Sequence, residues 1–591
     1  MPVKAPFVVV LTILLVGNLL SVSAQSLSDS IRLNQLGFYP NAPKVAIVVG
    51  QASGAFEITT SDGKKVVFKG MLSLPRTNAI SGKKTHTADF SALKTAGTFV
   101  VSIPGLGHSA PFRIEPDVHR AAAIGSLKGF YYQRVSTDLP ATFSGKWSRP
   151  AGHPDTRVFI HPSAASASRP VGTTISSPRG WYDAGDYNKY IVNSGITMGT
   201  LLSLYEDFPA YCKSLKTNIP ESSNAIPDLL DEVLWNLRWM LTMQDPADGG
   251  VYHKLTNAGF DGMVMPDKAT KDRYVVQKSI TATLDFAAVM AQAARVYRPF
   301  SRELPGLADS CLTAAETAWQ WAQKNPELYY RQNEMNKQFD PDVTTGSYED
   351  RSASDEWIWA ATELFVTTKK DTYATAVNLF PDDNTPLPAW PQVRTLAYYT
   401  LGRFAKDKAF QSRTELVSAR KHILKLADEL IAGTDEQAFG TVMGKSAKDF
   451  IWGSSSVAAN QGIALIQAYR QTADKKYLTY ALTNLDYLLG RNAVGYSFLT
   501  GFGYKSTLNP HHRPSVADGI EAPVPGLLSG GTNANAARQD KCSGYTTTIA
   551  DEVYLDQSCS YASNEIAINW NAPMVYLTTA IEALQREMPS K

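Results

Sequence analysis

The sequence predicts a chain of two domains, a small immunoglobulin-like β-sandwich followed by a larger all-α domain in which paired helices form a toroid. Three observations favour this fold class. Short β-like runs extend from Ser28 to about Pro116, and helical periodicity continues from there to the C-terminus. The length of 591 residues also exceeds that of one ordinary small domain, and 44% hydrophobic residues can bury a large core.

The β-like runs are short and separated by Gly, Pro, Asn and Ser-Gly turns about every ten residues. They read KVAIVV, AFEITT, KKVVFKG, GTFVVSI and PFRIEP. Their number and spacing predict a sandwich over residues 28–116, although the Cys…Trp…Cys signature of true immunoglobulin domains is missing.

About twelve helical stretches are predicted in the second domain, residues 117–588, and their succession in pairs favours an α/α toroid. The main ones are 119–133, 192–207, 226–243, 276–297, 308–324, 353–379, 388–404, 412–432, 455–471, 474–489 and 564–587, of which 353–379 is expected to break into two helices. Long irregular segments lie between them, at 145–182, 246–272, 331–351 and 498–562. Loops of that length in a compact domain usually carry function, so we expect them to gather at one end of the toroid.

The charge balance limits the class of partner. The chain has 57 Lys and Arg residues against 55 Asp and Glu residues, with a formal net charge of +2. It has no basic block and no acidic tail, which disfavours a nucleic-acid backbone or an anionic membrane surface. A neutral substrate suits this balance. Aromatic residues make up 10% of the chain, which is compatible with stacking on sugars, although most Trp residues pack in cores.

The N-terminus predicts an export signal over residues 1–24. Lys4 precedes the apolar run FVVVLTILLVGNLL, and SVSAQ then places small residues before a cut after Ala24. The run is shorter than the roughly 20 residues that span a bilayer, although an uncleaved anchor is the alternative. We therefore expect a secreted or periplasmic protein without a membrane span.

The four cysteines are Cys212, Cys311, Cys542 and Cys559. Cys542 and Cys559 enclose a polar loop and are the favoured disulfide pair in an oxidising compartment. No C-x-x-C pair occurs, so the cysteines do not indicate a structural zinc site.

Two carboxylates stand among aromatic residues in GWYDAGDYNKY, residues 180–190. Asp183 and Asp186 lie in a predicted turn before a helix, where Gly185 allows the chain to bend and both side chains to enter a cleft. Hydrolysis of a glycoside needs an acid that protonates the leaving oxygen and a carboxylate that attacks carbon or activates water. Two like charges raise one pKa, while the other carboxylate can deprotonate water. A solvated turn or a calcium-binding loop is the alternative interpretation.

A candidate acid, Glu565, follows much later in YASNEIAINWNAP, at the predicted start of the last helix. Its apolar neighbours would raise its pKa toward that of an acid catalyst. A glutamate that interacts with the helix dipole is the alternative.

Histidines and an arginine in loops form a further set of candidates. NPHHRPS displays His511, His512 and Arg513 between prolines, where they can bind sugar hydroxyls or a carboxylate. A metal site is the rival interpretation of the two adjacent histidines, but neighbouring residues rarely bind one ion. His253 in DGGVYHKLT is a weaker candidate, because a single loop histidine is usually a surface or packing residue.

Three tryptophans, Trp357, Trp359 and Trp452, are candidate stacking platforms. Residues two apart on a helix cannot share a face, so at least one of Trp357 and Trp359 is predicted to be core. Asp355 and Glu356 are hydrogen-bond candidates of lower rank. The chain contains no G-x-S-x-G, G-x-x-x-x-G-K-[ST] or H-E-x-x-H pattern, so serine-hydrolase, P-loop and zincin interpretations lack support.

Taken together, these motifs resemble those of glycoside hydrolase family 9, the cellulase group with an (α/α)6 barrel, in the subgroup that carries an N-terminal immunoglobulin-like domain. The resemblance covers nearly all of the chain after the predicted signal. It rests on ordered blocks, namely IRLNQLGFYPNAPKVAIV, GWYDAGDYNKY, PDLLDEVLWNLRWMLTMQ, GGVYHKLT, SASDEWIWAATEL, WGSSSVAANQG, LDYLLGRNAVGYSFLTGFG, NPHHRPS and NEIAINWNAP.

The resemblance implies roles for the candidates. Asp186 would be the general base, Asp183 would help to hold the nucleophilic water, and Glu565 would be the general acid. The family inverts the anomeric centre, which predicts base and acid carboxyls about 6.5 to 9.5 Å apart. The residues implied in substrate binding are His253, His511, Arg513, Trp570, Asp355 and Glu356.

Two departures from the family pattern concern metal and hydrogen bonding. Relatives often hold zinc through cysteines near the YYQR block, but here Val135 follows that block, and GHPDTRVFIHP keeps His153 and His161 without a cysteine. The zinc site is therefore expected to be absent. Trp570 stands where other subgroups commonly have a Tyr near the acid, which puts the hydrogen bond of that phenol in doubt. Structural calcium is common in the family, and ADEVYLDQS is a candidate ligand loop.

The resulting hypothesis is a monomeric, cofactor-independent endo-β-1,4-glucanase that hydrolyses cellulose or a related β-glucan. An exo-acting β-glucosidase or glucosaminidase of the same family is one alternative. A non-catalytic glycan-binding protein on an enzyme scaffold is the other, and the retained acid and base candidates argue against it.

Overall fold

The computed structural model describes Met1, residues 26–410 and residues 413–587. The predicted export signal therefore lies outside the described residues, apart from Met1. In the described ranges, no helix is both long enough and apolar enough to cross a membrane.

Two sheets form the N-terminal domain. The strands are Ile31–Arg32 (β1), Gly37–Phe38 (β2), Val45–Val49 (β3), Ala55–Thr60 (β4), Val66–Met71 (β5), Arg76–Thr77 (β6), Lys84–Asp89 (β7), Gly97–Ile103 (β8), Gly107–His108 (β9) and Phe112–Ile114 (β10). One sheet has the order β1-β3-β7-β6, and the other has the order β2-β10-β8-β4-β5 with β9 paired to β8. Inward-facing side chains of both sheets, such as Val48, Phe56 and Phe112, share one core. The predicted β-sandwich is confirmed.

The rest of the described chain is mainly helical. Its α-helices are Arg120–Tyr132 (α1), Ala141–Ser144 (α2), Ile191–Asp207 (α3), Pro209–Ser214 (α4), Asp228–Thr242 (α5), Ile280–Tyr297 (α6), Leu307–Lys324 (α7), Gln332–Asn336 (α8), Ser354–Thr368 (α9), Asp371–Ala374 (α10), Arg394–Arg403 (α11), Thr414–Ile431 (α12), Ser454–Thr472 (α13), Lys475–Leu488 (α14), Arg513–Ala517 (α15), Ala536–Gln539 (α16), Tyr561–Asn564 (α17) and Ile568–Glu587 (α18). The 353–379 stretch breaks into two helices, as predicted. The last helix begins at Ile568, four residues after the predicted start at 564.

The long helices contact one another in a closed cycle. Helix α3 contacts α6, and the contacts continue through α9, α11, α13 and α18 back to α3. Outside this cycle, α1 packs on α18, α5 on α3, α7 on α6, α14 on α13, and α12 on both α11 and α13. The cycle helices are buried on most sides, as expected for helices that pack against neighbours all round.

A small sheet, which the sequence pattern does not predict, lies within the long irregular segments. Its strands are Val158–Ile160 (β11), Thr174–Ile175 (β12), Lys189–Tyr190 (β13), Lys254–Asn257 (β14) and Arg273–Val275 (β15), in the order β12-β11-β15-β14-β13. The pairing of β13 with β14 sets Tyr190 opposite Lys254. This sheet therefore fixes the chain directly after the acidic turn.

Polar contacts join the sandwich to the helical domain. Tyr39 Oη donates to Glu582 of α18 at 2.6 Å, and the backbone N–H of His119 donates to the same carboxyl at 3.0 Å. Asn34 Nδ2 donates to Asp486 of α14 at 2.8 Å. All of these side chains are buried or nearly so. The sandwich is thus seated on the helices through directional bonds as well as apolar contacts.

The predicted disulfide between Cys542 and Cys559 is present, and Cys212 and Cys311 are free and buried. The bridge closes a loop immediately before α17, close in sequence to Glu565.

Candidate active site

Asp183 lies at the bottom of the acidic turn, with 1% of its surface exposed. Asn193 Nδ2 donates to both carboxyl oxygens, at 2.9 and 3.0 Å, and Tyr348 Oη donates to Oδ2 at 2.9 Å. Its backbone carbonyl accepts from the N–H of Ile568 at 2.8 Å, which joins the turn to the start of α18. Burial and the nearby charge of Asp186 raise the pKa of Asp183, while the hydrogen bonds oppose that shift.

Asp186 is the more accessible of the two aspartates, with 6% of its surface exposed. Its Oδ2 accepts hydrogen bonds from Asn188 Nδ2 and, at 3.0 Å, from Tyr190 Oη. Both donors come from the chain that leads into β13, so the turn and the strand orient the carboxylate together. Its second oxygen has no hydrogen-bond partner among the described residues and is free to accept a proton from a water molecule.

Gly185 is required at this turn because His511 lies against it. A Cβ atom there would come within 2.2 Å of the His511 carbonyl oxygen. The same close approach places the backbone of the acidic turn beside the 511–513 segment, where the N–H of Arg513 donates to the Gly185 carbonyl at 3.2 Å. The role of Gly185 is therefore steric fit between two segments that are distant in sequence.

Glu565 meets the acidic turn from the other side. Its backbone forms a bridge with His511, whose carbonyl oxygen lies against Gly185 of the turn. Burial is the largest cause that raises the pKa of Glu565 well above its usual range, and the charges of Asp186 and Asp183 add to it. The residue lies in extended backbone between α17 and α18, so the expected position at a helix start is wrong and a helix-dipole role does not explain it.

The three carboxyl groups differ in the hydrogen bonds that they accept. Asp183 accepts three and Asp186 accepts two. Burial and the charges of Asp186 and Asp183 raise the pKa of Glu565 well above its usual range, and burial and the charge of Asp186 also raise the pKa of Asp183. Repulsion among the three neighbouring carboxyl groups therefore favours retention of a proton within the cluster.

His511 and Arg513 flank this carboxyl cluster. His511 Nδ1 bonds the Ser558 carbonyl at 2.6 Å, and its ring lies edge-on to Tyr561. Burial lowers the pKa of His511, which favours a neutral imidazole. The Arg513 guanidinium donates to the carbonyls of Gly185 and Asp261, at 2.6 to 3.0 Å. His512 turns away into the interior, where it bonds Gln133.

The His253 ring is fully buried, and its implied contact to substrate stays a prediction. It stacks on Tyr330 with ring centroids 4.2 Å apart. Its Nδ1 is bonded to Ser279 Oγ, and its Nε2 donates to the Ser347 carbonyl, each at 2.9 Å. With both ring nitrogens occupied by protein partners, His253 holds the loop that precedes Tyr348. A substrate contact is therefore not part of the proposal below.

Asp355 and Glu356 are also buried. They occupy the first turn of α9, with 5% and 1% of their surfaces exposed, and Asp355 accepts from the N–H of Val393 at 2.7 Å. Burial raises the pKa of both carboxyl groups. The implied substrate contact of this pair stays a prediction.

The two tryptophans of α9 differ in burial, as the helix geometry requires. Trp359 is core, while Trp357 is half-buried against Trp319. Trp452 is 39% exposed, and its ring centroid lies 5.5 Å from that of Tyr561, beside the acid. Trp570 is half-buried and packs against Gly453 and the segment that bonds Glu565. Trp452 and Tyr561 thus form an aromatic surface next to Glu565.

The candidate metal ligands are bonded to protein groups. His153 Nδ1 is bonded to Tyr182 Oη, and Asp551 accepts from Asn78. Asp556 accepts the backbone N–H groups of Leu508 and Asn509. Within the described ranges, no group of three or more His, Cys, Asp or Glu side chains is arranged to hold a metal ion. The expected absence of zinc and the candidate calcium loop ADEVYLDQS stay predictions.

The sequence pattern does not single out Tyr348, although its hydroxyl group contacts Asp183. It lies in the irregular 331–351 segment at a φ of 47°, and its ring packs edge-on against Tyr190 and Trp390. No periodic signal marks such a residue. Asn188, Tyr190 and Asn193 follow the acidic turn directly, and hydrogen-bonding side chains so close to two carboxylates were the available signal.

Replacing Tyr348 with Phe should lower kcat about 10- to 100-fold, because a hydrogen bond to a charged group contributes about 1.5 to 3 kcal/mol. We expect KM to change little. Steady-state kinetics on a soluble β-glucan measure the effect. Tyr373→Phe is the matched control, since Tyr373 Oη donates to Glu316 at the same 2.9 Å far from the carboxyl cluster. A kcat for Tyr348→Phe within twofold of the unmodified protein would remove Tyr348 from the machinery.

Comparisons with known proteins place this geometry in context. The model of glycosyl hydrolase family 9 matches residues 120–578, and the model of the cellulase N-terminal ig-like domain matches residues 27–108. A xyloglucan-specific endo-beta-1,4-glucanase of Bacteroides ovatus, BoGH9A, is 46% identical over 94% of each chain. Endoglucanase D of Acetivibrio thermocellus is 31% identical over 92% of this chain and 82% of its own length.

Solved structures agree with the sequence matches. A Bacteroides ovatus GH9 structure superposes with a TM-score of 0.90 at 45% identity, over 94% of this chain and 99% of its own. A thermostable endoglucanase from Alicyclobacillus acidocaldarius superposes with a TM-score of 0.81 at 30% identity, over 94% and 99% of the two chains. Both comparisons span the sandwich and the helical domain together.

Proposed function

Because the chain belongs to glycosyl hydrolase family 9 and is a glycoside hydrolase, we propose that it cleaves internal β-1,4-glucosidic bonds of a β-glucan with inversion of configuration. The observation that carries this proposal is the meeting of the acidic turn with the chain around Glu565. The N–H of Ile568 donates to the Asp183 carbonyl, and Glu565 forms a backbone bridge with His511, which lies against Gly185. A base candidate and an acid candidate from distant parts of the chain thereby share one site.

In the proposed reaction Asp186 accepts a proton from a water molecule, whose oxygen attacks the anomeric carbon. Asp183 helps to hold that water. As the glycosidic bond breaks, Glu565 donates its proton to the departing oxygen, so that one water molecule is consumed and no cofactor is needed. The second oxygen of Asp186 and the raised pKa of Glu565 support these roles. The expected separation of the two carboxyls is about 6.5 to 9.5 Å.

We propose xyloglucan as the preferred substrate class, because the xyloglucan-specific relative is similar along nearly the whole chain. His511, Arg513 and Trp570 are the proposed sugar contacts, together with the surface formed by Trp452 and Tyr561. The aromatic rings stack on the apolar faces of sugar rings, and the polar groups bind hydroxyls.

The same proposal includes the arrangement of the helices and the location of the protein outside the cytoplasm. The closed cycle of helices and its outer partners are consistent with an (α/α)6 barrel over residues 117–588, with the sandwich at 28–116 as a structural support. The run from Lys4 to Ala24 and the disulfide favour a secreted or periplasmic monomer.

Product analysis over a panel of soluble β-glucans tests this function. Incubation with xyloglucan, mixed-linkage glucan and carboxymethyl cellulose should release oligosaccharides of mixed length, fastest from xyloglucan. Proton NMR during the first minutes should show the α-anomer at the new reducing end.

Three results would contradict the proposal in different ways. Initial formation of the β-anomer would reject water activation by Asp186. Release of single sugars alone would favour the exo-acting alternative. Absence of new reducing ends on every glucan would favour a glycan-binding protein.

A further inference from the structure

Lys254 is a fully buried lysine on β14, one residue after His253, and it has no ion-pair partner among the described residues. A buried ammonium group without a carboxylate partner is costly. Its Nζ instead donates to Gln332 Oε1 at 2.7 Å, Thr345 Oγ1 at 3.0 Å and the Gly346 carbonyl at 2.7 Å. Packing alone therefore does not explain why a lysine occupies position 254.

Two of the three acceptors of Lys254 lie in the loop that leads to Tyr348, and the third, Gln332, is the first residue of α8. Lys254 binds residues 345 and 346, and the neighbouring His253 binds the carbonyl of residue 347. Three consecutive residues are thus held from one strand, immediately before the left-handed backbone of Tyr348. This anchoring lets the Tyr348 hydroxyl reach Asp183.

The same ammonium group faces the base through one aromatic ring. Lys254 Nζ lies 5.6 Å from the ring centroid of Tyr190, whose hydroxyl donates to Asp186 at 3.0 Å. The pairing of β13 with β14 fixes this arrangement, because Tyr190 and Lys254 are opposite each other. A positive charge behind Tyr190 favours the ionised form of Asp186 through an interior of low dielectric constant.

We propose that Lys254 is a positioning residue for the general base, which fixes the loop of Tyr348 and supplies a buried positive charge that faces the Asp186 carboxylate. This inference rests on the proposed function, since it assumes that Asp186 is the base. Asp186 lies beside two other carboxyl groups, and the charge of Lys254 offsets part of their repulsion.

Other charged and titratable groups surround Lys254 and Asp186, and they contribute to the electrostatic potential at both side chains. Asp183 and Glu565 disfavour a second negative charge at Asp186, while Glu349 is a carboxylate that also favours the charged form of Lys254. Burial lowers the pKa of Lys254 to about 7, so the ammonium form prevails at acidic pH. The remaining titratable groups that face Lys254 or Asp186 are Tyr190, Tyr330, Tyr348, His161, His253 and His511.

The test is Lys254→Met, which keeps the length of the side chain and removes its charge and donors. We expect kcat on soluble xyloglucan to fall about 10- to 100-fold with KM changed less than about threefold. The acidic limb of the kcat/KM profile should move to higher pH by about one unit, because the Asp186 carboxylate loses a facing positive charge. A role in packing alone would lower the melting temperature without moving that limb.

Lys44→Met is the matched control, since Lys44 is a buried lysine of the sandwich whose Nζ binds only backbone carbonyls, those of Tyr39, Pro40 and Ala42. Its kinetics and pH profile should equal those of the unmodified protein. If Lys254→Met does not fold, Lys254→Gln keeps one donor for the loop, removes the charge, and should show the same shift of the acidic limb.

An unmoved acidic limb together with unchanged kcat in a folded Lys254 variant would overturn this inference. The inference and the proposed function fail separately. Loss of activity in Asp186→Asn and Glu565→Gln with an unaffected Lys254 variant would reject the role of Lys254 alone, whereas active Asp186→Asn and Glu565→Gln variants would reject the proposed function first.

Discussion

Replacing Asp186 with Asn should lower kcat on soluble β-glucan by about 10³- to 10⁴-fold, because an amide cannot accept the proton of the attacking water. The side chain keeps its size, so the amide oxygen can still accept from Asn188 and Tyr190. Loss of the charge also removes repulsion toward Asp183 and Glu565. We therefore expect a folded protein with a melting temperature at neutral pH no lower than that of the unmodified chain.

The matched control for this variant is Asp231→Asn. Asp231 is another buried aspartate, on α5, whose pKa burial raises to about 7, and it bonds Asn224 rather than any residue of the carboxyl cluster. It should retain full activity in the same reducing-sugar assay. Turnover by Asp186→Asn within tenfold of the unmodified protein would remove Asp186 as the base.

Replacing Glu565 with Gln should lower kcat on polysaccharide by about 10³- to 10⁴-fold, because glutamine cannot donate a proton to the departing oxygen. A substrate whose leaving group needs no proton, such as a 2,4-dinitrophenyl cellooligosaccharide, should lose far less activity. The comparison of the two substrates in one variant separates loss of the acid from general damage to the site. Equal losses on both substrates would argue against an acid role for Glu565.

The pH dependence of stability provides a second measurement on Glu565→Gln. The folded-state pKa of Glu565 is raised, so the stabilisation from the neutral carboxyl is fully present below the unfolded-state pKa and is lost as pH rises toward the folded-state pKa. Glutamine has no such loss. The variant should therefore melt at a higher temperature than the unmodified protein at pH 7, and this difference should shrink below about pH 4.5.

Glu582→Gln is the matched control for both measurements of Glu565. Burial raises the pKa of Glu582 as well, but this carboxyl binds Tyr39 and Tyr211 at the domain interface. Its activity on both kinds of substrate should equal that of the unmodified protein. A large loss in this control would mean that any buried glutamate change disturbs the site.

Much of the fold could be predicted because the long helices carry strong periodicity. Stretches such as 119–133 and 455–471 match α1 and α13 to within one or two residues at each end. The five-stranded sheet could not be predicted, because its strands of two to four residues are too short for an alternating pattern and pair across distant loops. The displaced start of α18 matters most, since it moves Glu565 out of the helix.

The candidate catalytic residues could be predicted where several of them occur in one sequence motif. Asp183 and Asp186 stand out among aromatics, and the resemblance adds Glu565. Tyr348 and Lys254 could not be found in this way, because their roles come from contacts between strands and loops that sequence spacing does not encode. Conversely, His253 matches a motif of the family, but its burial depends on residues that are distant in sequence, such as Tyr330.

The seating of the sandwich on the helices limits how the two domains could be exchanged among related proteins. Tyr39 and Asn34 each satisfy a buried carboxyl group of the helical domain, at Glu582 and Asp486. A chimera with a foreign sandwich, or a chain truncated before α1, would remove one hydrogen-bond donor from each of these acids next to newly wetted apolar surface. We therefore expect a recombinant of two relatives to be more stable when both members of each donor–acceptor pair come from the same parent.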